Sequence, residues 1–236
     1  MDRFPKVIAH RGMPFVEREN TLPSFQKAIE TGAQMIEFDV RRTGDGIIVV
    51  HHDPHVQCEE AKYYISALPY DKLNSLVDYH IPTLEEFLLL CTGRIELDIE
   101  LKEAGYEKDV LDVVLKYYAP ESFILTSFHD AAIKIVNQLH PGLRTGLLFV
   151  MKEDWDTLLG RVKACGAMSL APHFWLVTQQ FMENAKRHNL PVWVWTVDDR
   201  ETMEKLADLG VAGIITDYCD LALEVRSEHV SGSQSL

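Results

Sequence analysis

Two acidic residues and two histidines lie within one hairpin-sized stretch of the chain, IEFDVRRTGDGIIVVHHD, which spans Ile36–Asp53. Glu37 and Asp39 alternate with apolar residues in its first half, and its second apolar run ends on His51 and His52. A charged side chain inside an apolar strand is costly to bury unless it is paired or bound to a metal ion. The stretch therefore predicts a functional site.

The short loop in this stretch predicts that its two halves pair as an antiparallel hairpin over residues 36–52. A parallel crossover needs about a dozen residues or more, whereas Thr43–Gly46 supplies only four. Counting outward from this loop puts Glu37 opposite His52, on one face with the second acid. A register shifted by one residue would place His51 there instead, so the hairpin alone leaves the choice of histidine open.

A second strand-like run, IELDIELK, repeats this alternation. Asp98, Glu100 and Lys102 would line one face of the strand, because the residues between them are apolar. In a barrel of parallel strands, ionisable groups near the carboxyl ends of the strands form the catalytic face. Glu37, Asp39 and Glu100 together would make an oxygen-rich site that suits Mg²⁺ or Ca²⁺ better than zinc.

His10 and Arg11 follow the first short strand and are expected at the same end of the fold. Two histidines, His10 and His52, would offer a general acid and a general base that titrate near neutral pH. Arg11 and Lys102 would supply fixed positive charge suited to a phosphate group. A hard metal ion, two imidazoles and two cations favour cleavage of a phosphoester over isomerisation of a sugar phosphate.

The elements that must position these residues alternate along the chain. Nine apolar runs have the character of strands: Val7–Ala9, Met35–Val40, Ile47–His51, Ile95–Leu101, Phe123–Ser127, Thr145–Phe149, Met168–Ala171, Val192–Val197 and Gly213–Thr216. Helical segments lie between most of them: Thr21–Thr31, Thr83–Cys91, Lys108–Tyr118, Ala131–Leu139, Trp155–Cys165, Thr178–His188 and Arg200–Leu209. Because one run is the antiparallel arm of the hairpin, eight parallel units remain. This count favours an α/β fold of the (β/α)8 TIM barrel type over a doubly wound open sheet.

Composition and charge limit the classes of partner. The chain has 236 residues, of which 47% are hydrophobic, and its formal net charge is −13. That excess of acid argues against nucleic acid or an anionic membrane as the main partner. No run approaches the ~18 apolar residues of a membrane span, and the N-terminal segment lacks an apolar signal core. With four widely spaced cysteines and no CxxC motif, we expect a cytoplasmic protein with reduced thiols.

A series of short motifs runs along almost the whole chain. They are AHRG (Ala9–Gly12), ENTLPSF (Glu19–Phe25), IEFDV (Ile36–Val40), DG with HD (Asp45-Gly46, His52-Asp53), IPTLEEFL (Ile81–Leu88), IELK (Ile99–Lys102), TSF (Thr126–Phe128), VWTVDD (Val194–Asp199) and GIITD (Gly213–Asp217). In this order the set resembles the glycerophosphodiester phosphodiesterase family, a group of (β/α)8 barrels related to the phosphatidylinositol phospholipases. Each motif alone is weakly specific, whereas the ordered set is highly specific.

The resemblance implies a role for each matched polar residue. His10 and His52 would be the acid/base pair, which also answers the question of register that the hairpin left open. Glu37, Asp39 and Glu100 are expected to bind a divalent metal, Mg²⁺ or Ca²⁺. Arg11, Lys102 and Trp195 are expected to contact phosphate or substrate. Glu19 and Asn20 are expected to support the site.

The reaction that the resemblance implies is hydrolysis of a small-molecule glycerophosphodiester to glycerol 3-phosphate and an alcohol. One histidine would deprotonate the glycerol 2-hydroxyl, which attacks phosphorus to form a cyclic phosphate, while the other protonates the departing alcohol. A lysophospholipase D-like reaction on lysophospholipids is the enzymatic alternative. A catalytically silent barrel that acts as a binding module is the alternative of another class, and a homo-oligomer is an open option.

The chain departs from the family pattern after the His-Asp pair. Residues 54–73 lack the family's glycine-containing signature. We expect 54–80 to be a short cover segment over the site, and the sequence leaves open how this segment affects the choice of head group. Asp98 stands at a position where asparagine is frequent. No linker or low-complexity stretch divides the chain, which predicts one barrel domain over residues 1–226 and a flexible polar tail over 227–236.

Overall fold

The computed structural model describes residues 4–232 and contains a ring of parallel strands with helices on its outside. The strands are β1 (Lys6–His10), β2 (Met35–Arg42), β3 (Ile48–Val50), β4 (His55–Cys58), β5 (Ala61–Tyr64), β6 (Glu96–Leu101), β7 (Phe123–Ser127), β8 (Thr145–Phe149), β9 (Ser169–Pro172), β10 (Trp193–Val194) and β11 (Gly213–Thr216). The helices are α1 (Leu22–Thr31), α2 (Tyr70–Asn74), α3 (Leu84–Cys91), α4 (Glu107–Val114), α5 (Asp130–Leu139), α6 (Trp155–Cys165), α7 (Gln179–Arg187), α8 (Arg200–Leu209) and α9 (Cys219–Gly232).

Eight parallel strands form the barrel in the order β10-β11-β1-β2-β6-β7-β8-β9. Two isolated parallel bridges join the strands at the two ends of this order, Leu170 with Val192 and His173 with Trp195, so the ring is nearly closed. The (β/α)8 barrel predicted from the sequence is therefore confirmed. No helix within the described range combines the length and apolar character needed to cross a lipid bilayer.

Strand β2 shows how the barrel separates its apolar residues from its acids. Phe38 is buried against Phe25 of α1 and Phe87 of α3, with ring centroids 6.1 and 3.9 Å away. Because successive side chains of a strand point to opposite faces, Glu37 and Asp39 must point into the barrel. Burial of the aromatic cluster thus aims both carboxylates at the interior, since a one-residue slip would expose the rings to the polar site.

The antiparallel hairpin of β2 and β3 forms as predicted, but its register differs by one residue. A pairing of Glu37 with His52 would require Arg42 to pair with Ile47, whereas Arg42 pairs with Ile48. Thr43 instead closes the loop, donating its N–H to the carbonyl of Ile47 at 2.9 Å. Gly46, with φ +90°, takes the left-handed conformation that a three-residue hairpin loop requires.

Residues 54–80 form a small unit of their own beside the barrel. Strands β4 and β5 pair antiparallel, and a 3₁₀ turn and helix α2 follow them. Together with two residues outside this segment, its side chains make a separate apolar cluster: Val49, Val56, Ile65, Leu73 and Ile81. Burial of these apolar side chains holds the segment in place, although the segment lacks the glycine-containing signature.

The C-terminal helix extends into the segment for which the sequence predicted a flexible tail. Helix α9 continues to Gly232, so residues 227–232 are helical. Cys219, Ala222 and Val225 are buried in the main core, and this apolar stripe fixes the helix against the barrel. Residues 233–236 of the predicted tail lie outside the described residues.

Candidate active site

The register of three neighbouring strands brings the predicted site residues together. His10 of β1 lies beside Glu37 of β2, which lies beside Asp98 of β6. Two residues further along, Asp39 pairs with Glu100. Neighbours in a parallel ladder point to the same face, so all five side chains point into the barrel near the carboxyl ends of the strands.

All of these side chains except Asp39 border a cavity of about 150 Å³, which we call the central cavity. Its lining residues come from seven of the eight barrel strands or the loops that follow them, and from the hairpin: His10, Arg11, Glu37, His52, Asp98, Glu100, Lys102, Thr126, Phe128, Leu148, Trp195 and Ile215. Four of them were not singled out in the sequence: Thr126, Phe128, Leu148 and Ile215. Each lies near the carboxyl end of a predicted strand, and all but Leu148 belong to the motifs TSF or GIITD.

A larger groove of about 500 Å³, the side groove, adjoins the central cavity at His52. Its walls are residues 18–20, 51–53, 55–59 and 76–79. The predicted cover segment therefore contributes to the side groove, whereas no residue of 54–80 lines the central cavity.

Three buried carboxylates form the acidic part of the site. Ligand atoms of Glu37, Asp39 and Glu100 all lie within 4.8 Å of one another. Burial, together with repulsion from Asp39, raises the pKa of Glu37 well above its ordinary value and also raises the pKa of Glu100. Burial would raise the pKa of Asp39 as well, but the charges of Lys102 and Arg11 outweigh it and lower that pKa to about 2.

The donor set fits a divalent cation. Asn20 donates from Nδ2 to Asp39 Oδ2 at 2.7 Å, whereas the buried Oδ1 of Asn20 has no hydrogen-bond partner. A buried oxygen without a partner is destabilising, and a hard cation would satisfy it. Three carboxylates near one unpartnered oxygen are the ligand type that Mg²⁺ and Ca²⁺ prefer.

The two predicted phosphate-binding cations are oriented by the same acids. Arg11 donates from Nη1 to both carboxylate oxygens of Glu19 at 3.1 Å, and its Nε lies 3.3 Å from Asp39. Lys102 Nζ lies 2.7 Å from Glu100 and 3.3 Å from Asp39. Both cations are thus held by carboxylates, and both line the central cavity.

His10 is held by a residue that the sequence analysis did not single out. Its Nδ1 lies 2.6 Å from Asp217 Oδ1, and its Nε2 lies 3.8 Å from Glu37 Oε2. Asp217 follows β11, which pairs with β1 and carries the aspartate to the histidine. Asp198 in turn accepts the backbone N–H of Asp217 at 2.9 Å. The only sequence signal was the motif GIITD, whose last residue is Asp217.

His52 reaches the central cavity because the chain leaves the hairpin ladder just before it. The last ladder contact is the N–H of His51 donating to Asp39 O at 3.0 Å. The carbonyl of His52 then accepts two hydrogen bonds from Arg41, at 2.8 Å from Nε and 2.6 Å from Nη2. His51 turns toward Tyr79, whose hydroxyl lies 3.3 Å from its Nε2. The observed register thus puts His51 opposite Asp39, yet His52 is the histidine that lines the central cavity.

The imidazole of His52 has a carboxylate at one nitrogen, as His10 does. Its Nδ1 lies 2.9 Å from Asp53 Oδ1. Burial lowers the pKa of His52, and the nearby positive charges of Lys102 and Arg11 oppose the attraction of Asp39. The imidazole of His52 therefore stays neutral down to a lower pH than the imidazole of an unperturbed histidine.

The loop after β1 has the backbone geometry of a constrained site. Arg11 and Asn20 both have left-handed φ angles, +53° and +55°, and the N–H of Asn20 donates to Arg11 O at 3.0 Å. A Cβ atom on Gly12 would lie 2.3 Å from Ser24 Oγ, which explains the glycine in the motif AHRG. This closed loop brings Asn20 Nδ2 and Arg11 Nε to the same oxygen of Asp39, Oδ2, at 2.7 and 3.3 Å.

Trp195 lies in the wall of the central cavity. Its Nε1 donates to Ala171 O at 2.8 Å, and its ring meets Phe128 edge to face at a centroid distance of 5.4 Å. The hydrogen bond and the contact with Phe128 fix the orientation of the ring in the cavity wall.

Comparison with known proteins decides the family. The model of the glycerophosphoryl diester phosphodiesterase family matches residues 10–221, which include every predicted site residue. The chain belongs to this family. A glycerophosphodiester phosphodiesterase of Caldanaerobacter subterraneus subsp. tengcongensis is 32% identical over 230 residues, covering 89% of this chain and 93% of that one.

Solved structures agree with this assignment to the glycerophosphoryl diester phosphodiesterase family. The glycerophosphodiester phosphodiesterase of Parabacteroides distasonis gives a TM-score of 0.83 at 28% identity, covering 96% of this chain and 98% of that one. The enzyme of Thermotoga maritima gives 0.82 at 28% identity, with 94% and 98% covered. The sequence-based predictions of the family and of a phosphodiesterase are confirmed.

Asp217 offers a first test of the site in this phosphodiesterase. Asp217→Asn is expected to lower kcat about 10- to 100-fold with little change in KM, because the amide no longer orients the His10 ring while the groups that face the phosphate remain. Steady-state kinetics on glycerophosphocholine measure both constants. Asp220→Asn, an exposed aspartate near the start of α9, is the control. A loss confined to KM would contradict the positioning role.

Asp98 offers a test by stability. It is buried and accepts a hydrogen bond from Thr126 Oγ1 at 2.7 Å, and burial raises its pKa from 3.8 to about 7. A carboxyl with a raised folded-state pKa stabilises the protein at low pH and loses this contribution as pH rises from about 4 toward 7. Asp98→Asn removes that loss while keeping an acceptor for Thr126.

We therefore expect the unfolding free energy of Asp98→Asn, relative to the wild type, to rise by roughly 2–3 kcal/mol between pH 5 and pH 8. Urea unfolding in the presence of EDTA measures the difference at both pH values. Asp208→Asn, an exposed aspartate on α8, should show no such trend. A difference for Asp98→Asn that does not change with pH would show that this carboxyl does not titrate in the range.

Proposed function

We propose that this chain hydrolyses glycerophosphodiesters to glycerol 3-phosphate and an alcohol, with His10 and His52 as the acid/base pair. The observation that carries the proposal is the convergence of these two histidines on one cavity. Each has a carboxylate at Nδ1, from Asp217 or Asp53, and so leaves Nε2 for proton transfer.

We further propose that Glu37, Asp39 and Glu100 hold a divalent cation, Mg²⁺ or Ca²⁺. Their close approach, and the buried Oδ1 of Asn20, which has no hydrogen-bond partner, support this assignment. When bound, such a cation supplies positive charge that offsets the phosphodiester and the charge that develops on its oxygens. Without a cation, the acidic cluster would repel an anionic substrate.

The other residues of the cavity would bind and orient the diester. Arg11 and Lys102 donate hydrogen bonds to phosphate oxygens, and Trp195 packs on the glycerol side. One histidine then takes the proton of the glycerol 2-hydroxyl as its oxygen attacks phosphorus, and the other gives a proton to the leaving alcohol. Water opens the resulting cyclic phosphate to glycerol 3-phosphate, and no protein nucleophile is required.

The binding-module alternative is disfavoured by the cost of the site. Three buried carboxylates and two cations within one cavity destabilise the fold unless they serve a ligand, because each charge loses its hydration. A protein that only binds a partner has no need of two histidines whose Nε2 atoms are left free. These are the groups that acid/base cleavage requires.

A substrate panel tests the proposal. The protein is freed of metal with EDTA, supplied with Mg²⁺ or Ca²⁺, and given glycerophosphocholine, glycerophosphoethanolamine and glycerophosphoinositol. Release of glycerol 3-phosphate is followed by a coupled dehydrogenase assay. We expect release only with a divalent cation present. No release from any of these diesters with either metal would overturn the proposed function.

A further inference from the structure

Arg41 is a buried cation beside the proposed active site. It follows Asp39 by two residues on β2, so its side chain points to the same face of the strand as the acids. Its side chain is only 7% exposed, and it is not among the residues that line the central cavity or the side groove. An arginine stays charged in a protein, so its burial is costly unless its donors are paired. The partners of Arg41 therefore indicate what this buried charge does.

Two of the three guanidinium nitrogens of Arg41 hold the backbone of His52. Nε donates to His52 O at 2.8 Å, and Nη2 donates to the same oxygen at 2.6 Å. Because the guanidinium is planar and rigid, two donors on one oxygen fix its direction as well as its distance. His52 follows the end of β3 and its side chain is 34% exposed, so packing holds it less firmly than a core residue. Arg41 therefore supplies a constraint that packing does not.

The third nitrogen ties Arg41 to the loop that carries the proposed phosphate-binding lysine. Nη1 donates to the carboxylate of Glu103, which directly follows Lys102. The backbone of Glu103 is itself fixed, because its N–H donates to the hydroxyl of Tyr106 at 3.1 Å. That hydroxyl donates in turn to Val40 O of β2 at 2.7 Å. Arg41 is thus held at a defined place between the end of β2 and the loop after β6.

We propose that Arg41 is a positioning residue of the reaction: by holding the His52 carbonyl, it sets where the His52 imidazole lies in the central cavity. The inference rests on the proposed function and adds to it a residue outside the cavity. Arg41 holds the backbone from which the ring projects, while Asp53 Oδ1 lies 2.9 Å from the ring nitrogen Nδ1. A group that transfers a proton must stay within hydrogen-bond reach of the reacting oxygen. Loss of the backbone support should therefore slow the reaction rather than weaken substrate binding.

A role in stability alone would also place Arg41 beside Glu103. However, the side chain of Glu103 is 44% exposed, and an ion pair this open to water contributes little to stability. Stabilisation of the fold also gives no reason for two donors to meet the carbonyl of His52. The two roles predict different kinetics, because a positioning residue affects the rate only through the group that it positions.

The substitution Arg41→Gln tests the inference by kinetics. It should lower kcat for glycerophosphocholine about a hundredfold, because a displacement of about 1 Å in a catalytic site costs about that factor. KM should change less than about threefold, since Arg11 and Lys102 are unchanged. Arg41→Lys keeps the charge but donates from one nitrogen only, so its kcat should be about tenfold below the wild type. Release of glycerol 3-phosphate with Mg²⁺ or Ca²⁺ present measures both constants, and an effect confined to KM would overturn the inference.

Arg42→Gln is the matched control. Arg42 is the next residue of β2, its side chain is 43% exposed, and its Nη1 lies 3.2 Å from Asp109 of α4. This variant also loses the ion pair of an arginine, but it keeps both hydrogen bonds to His52. Its kcat should stay within about twofold of the wild type. A loss as large as that of Arg41→Gln would show that the effect does not depend on His52, and would overturn the inference.

A double-mutant cycle separates positioning from a general structural effect. In the His52→Ala background, Arg41→Gln should lower the residual kcat less than about threefold, because the group that it positions is already absent. A further hundredfold loss would show that Arg41 acts on something other than His52. Circular dichroism shows whether each variant is folded. Arg41→Lys, which keeps the buried charge, is carried through the same cycle if Arg41→Gln does not fold.

If the wild type hydrolyses no glycerophosphodiester, the proposed function fails, and nuclear magnetic resonance decides the inference separately. The ring proton resonances of His52 are identified by their absence from the spectrum of His52→Ala. In Arg41→Gln they should move toward those of a histidine in an unfolded peptide, because the ring is no longer held in one place. Arg42→Gln should leave them unchanged. Unchanged His52 resonances in Arg41→Gln would contradict the positioning role whatever the activity of the protein.

Discussion

Replacing His52 with alanine is expected to lower kcat for glycerophosphocholine at least about a thousandfold, and His10→Ala should have a similar effect. Each substitution removes a group proposed to transfer a proton in the reaction, and general acid/base catalysis contributes about a hundred- to ten-thousandfold per group. KM should change far less, since Arg11 and Lys102, the proposed phosphate-binding residues, are unchanged. Release of glycerol 3-phosphate in the presence of Mg²⁺ or Ca²⁺ measures both constants.

His51 supplies the control for this prediction. It is the neighbour of His52 in the chain, but its ring is directed toward Tyr79 and Asp53 O and does not line the central cavity. His51→Ala should therefore keep kcat within about tenfold of the wild type. If His51→Ala lost as much activity as His52→Ala, the assignment of the catalytic histidine would be wrong. Circular dichroism of each variant confirms that the barrel is folded.

Removal of the metal site is expected to have the second large effect. Asp39→Asn should lower kcat/KM about a thousandfold or more at a fixed concentration of Mg²⁺ or Ca²⁺, because Asp39 is the ligand with the lowest pKa in the cluster. Glu100→Gln should lower it as well, with less risk to the fold, since Asp39 still pairs with Arg11 and Lys102. EDTA should abolish the activity of the wild type.

Stability gives a reading of the same site that does not depend on catalysis. A cation at about a hundred times its Kd should raise the unfolding free energy of the wild type by about 2.7 kcal/mol, and should not raise that of Asp39→Asn. Because burial raises the pKa of Glu37, protons compete with the cation, so the effect should be smaller at pH 5.5 than at pH 8.

Glu204→Gln, an exposed glutamate on α8, should keep the wild-type response to metal. Stabilisation of Asp39→Asn by the same cation, to the same extent as the wild type, would show that the metal binds elsewhere. Full activity of the wild type in EDTA would contradict the metal proposal and leave the two histidines to be tested on their own.

The sequence by itself determined the barrel and the acidic face of the site. Alternation in IEFDV and IELDIELK sends Glu37, Asp39 and Glu100 to one side of their strands, because the side-chain period of a strand is two. The order of strands and helices predicted the parallel barrel, which places the carboxyl ends of neighbouring strands together. These inferences depend only on local periodicity, so they did not require knowledge of distant contacts.

Only the tertiary structure decided how the histidines are presented. The loop closed by Thr43 shifted the hairpin register by one residue, and the hydrogen bonds from Arg41 to the His52 carbonyl turned His52 into the cavity all the same. Asp217 reaches His10 across 207 residues of sequence because β11 closes the barrel beside β1. The contact between Asp217 and His10 joins the first and last strands of the barrel, and it follows from closure of the ring, which local sequence does not specify.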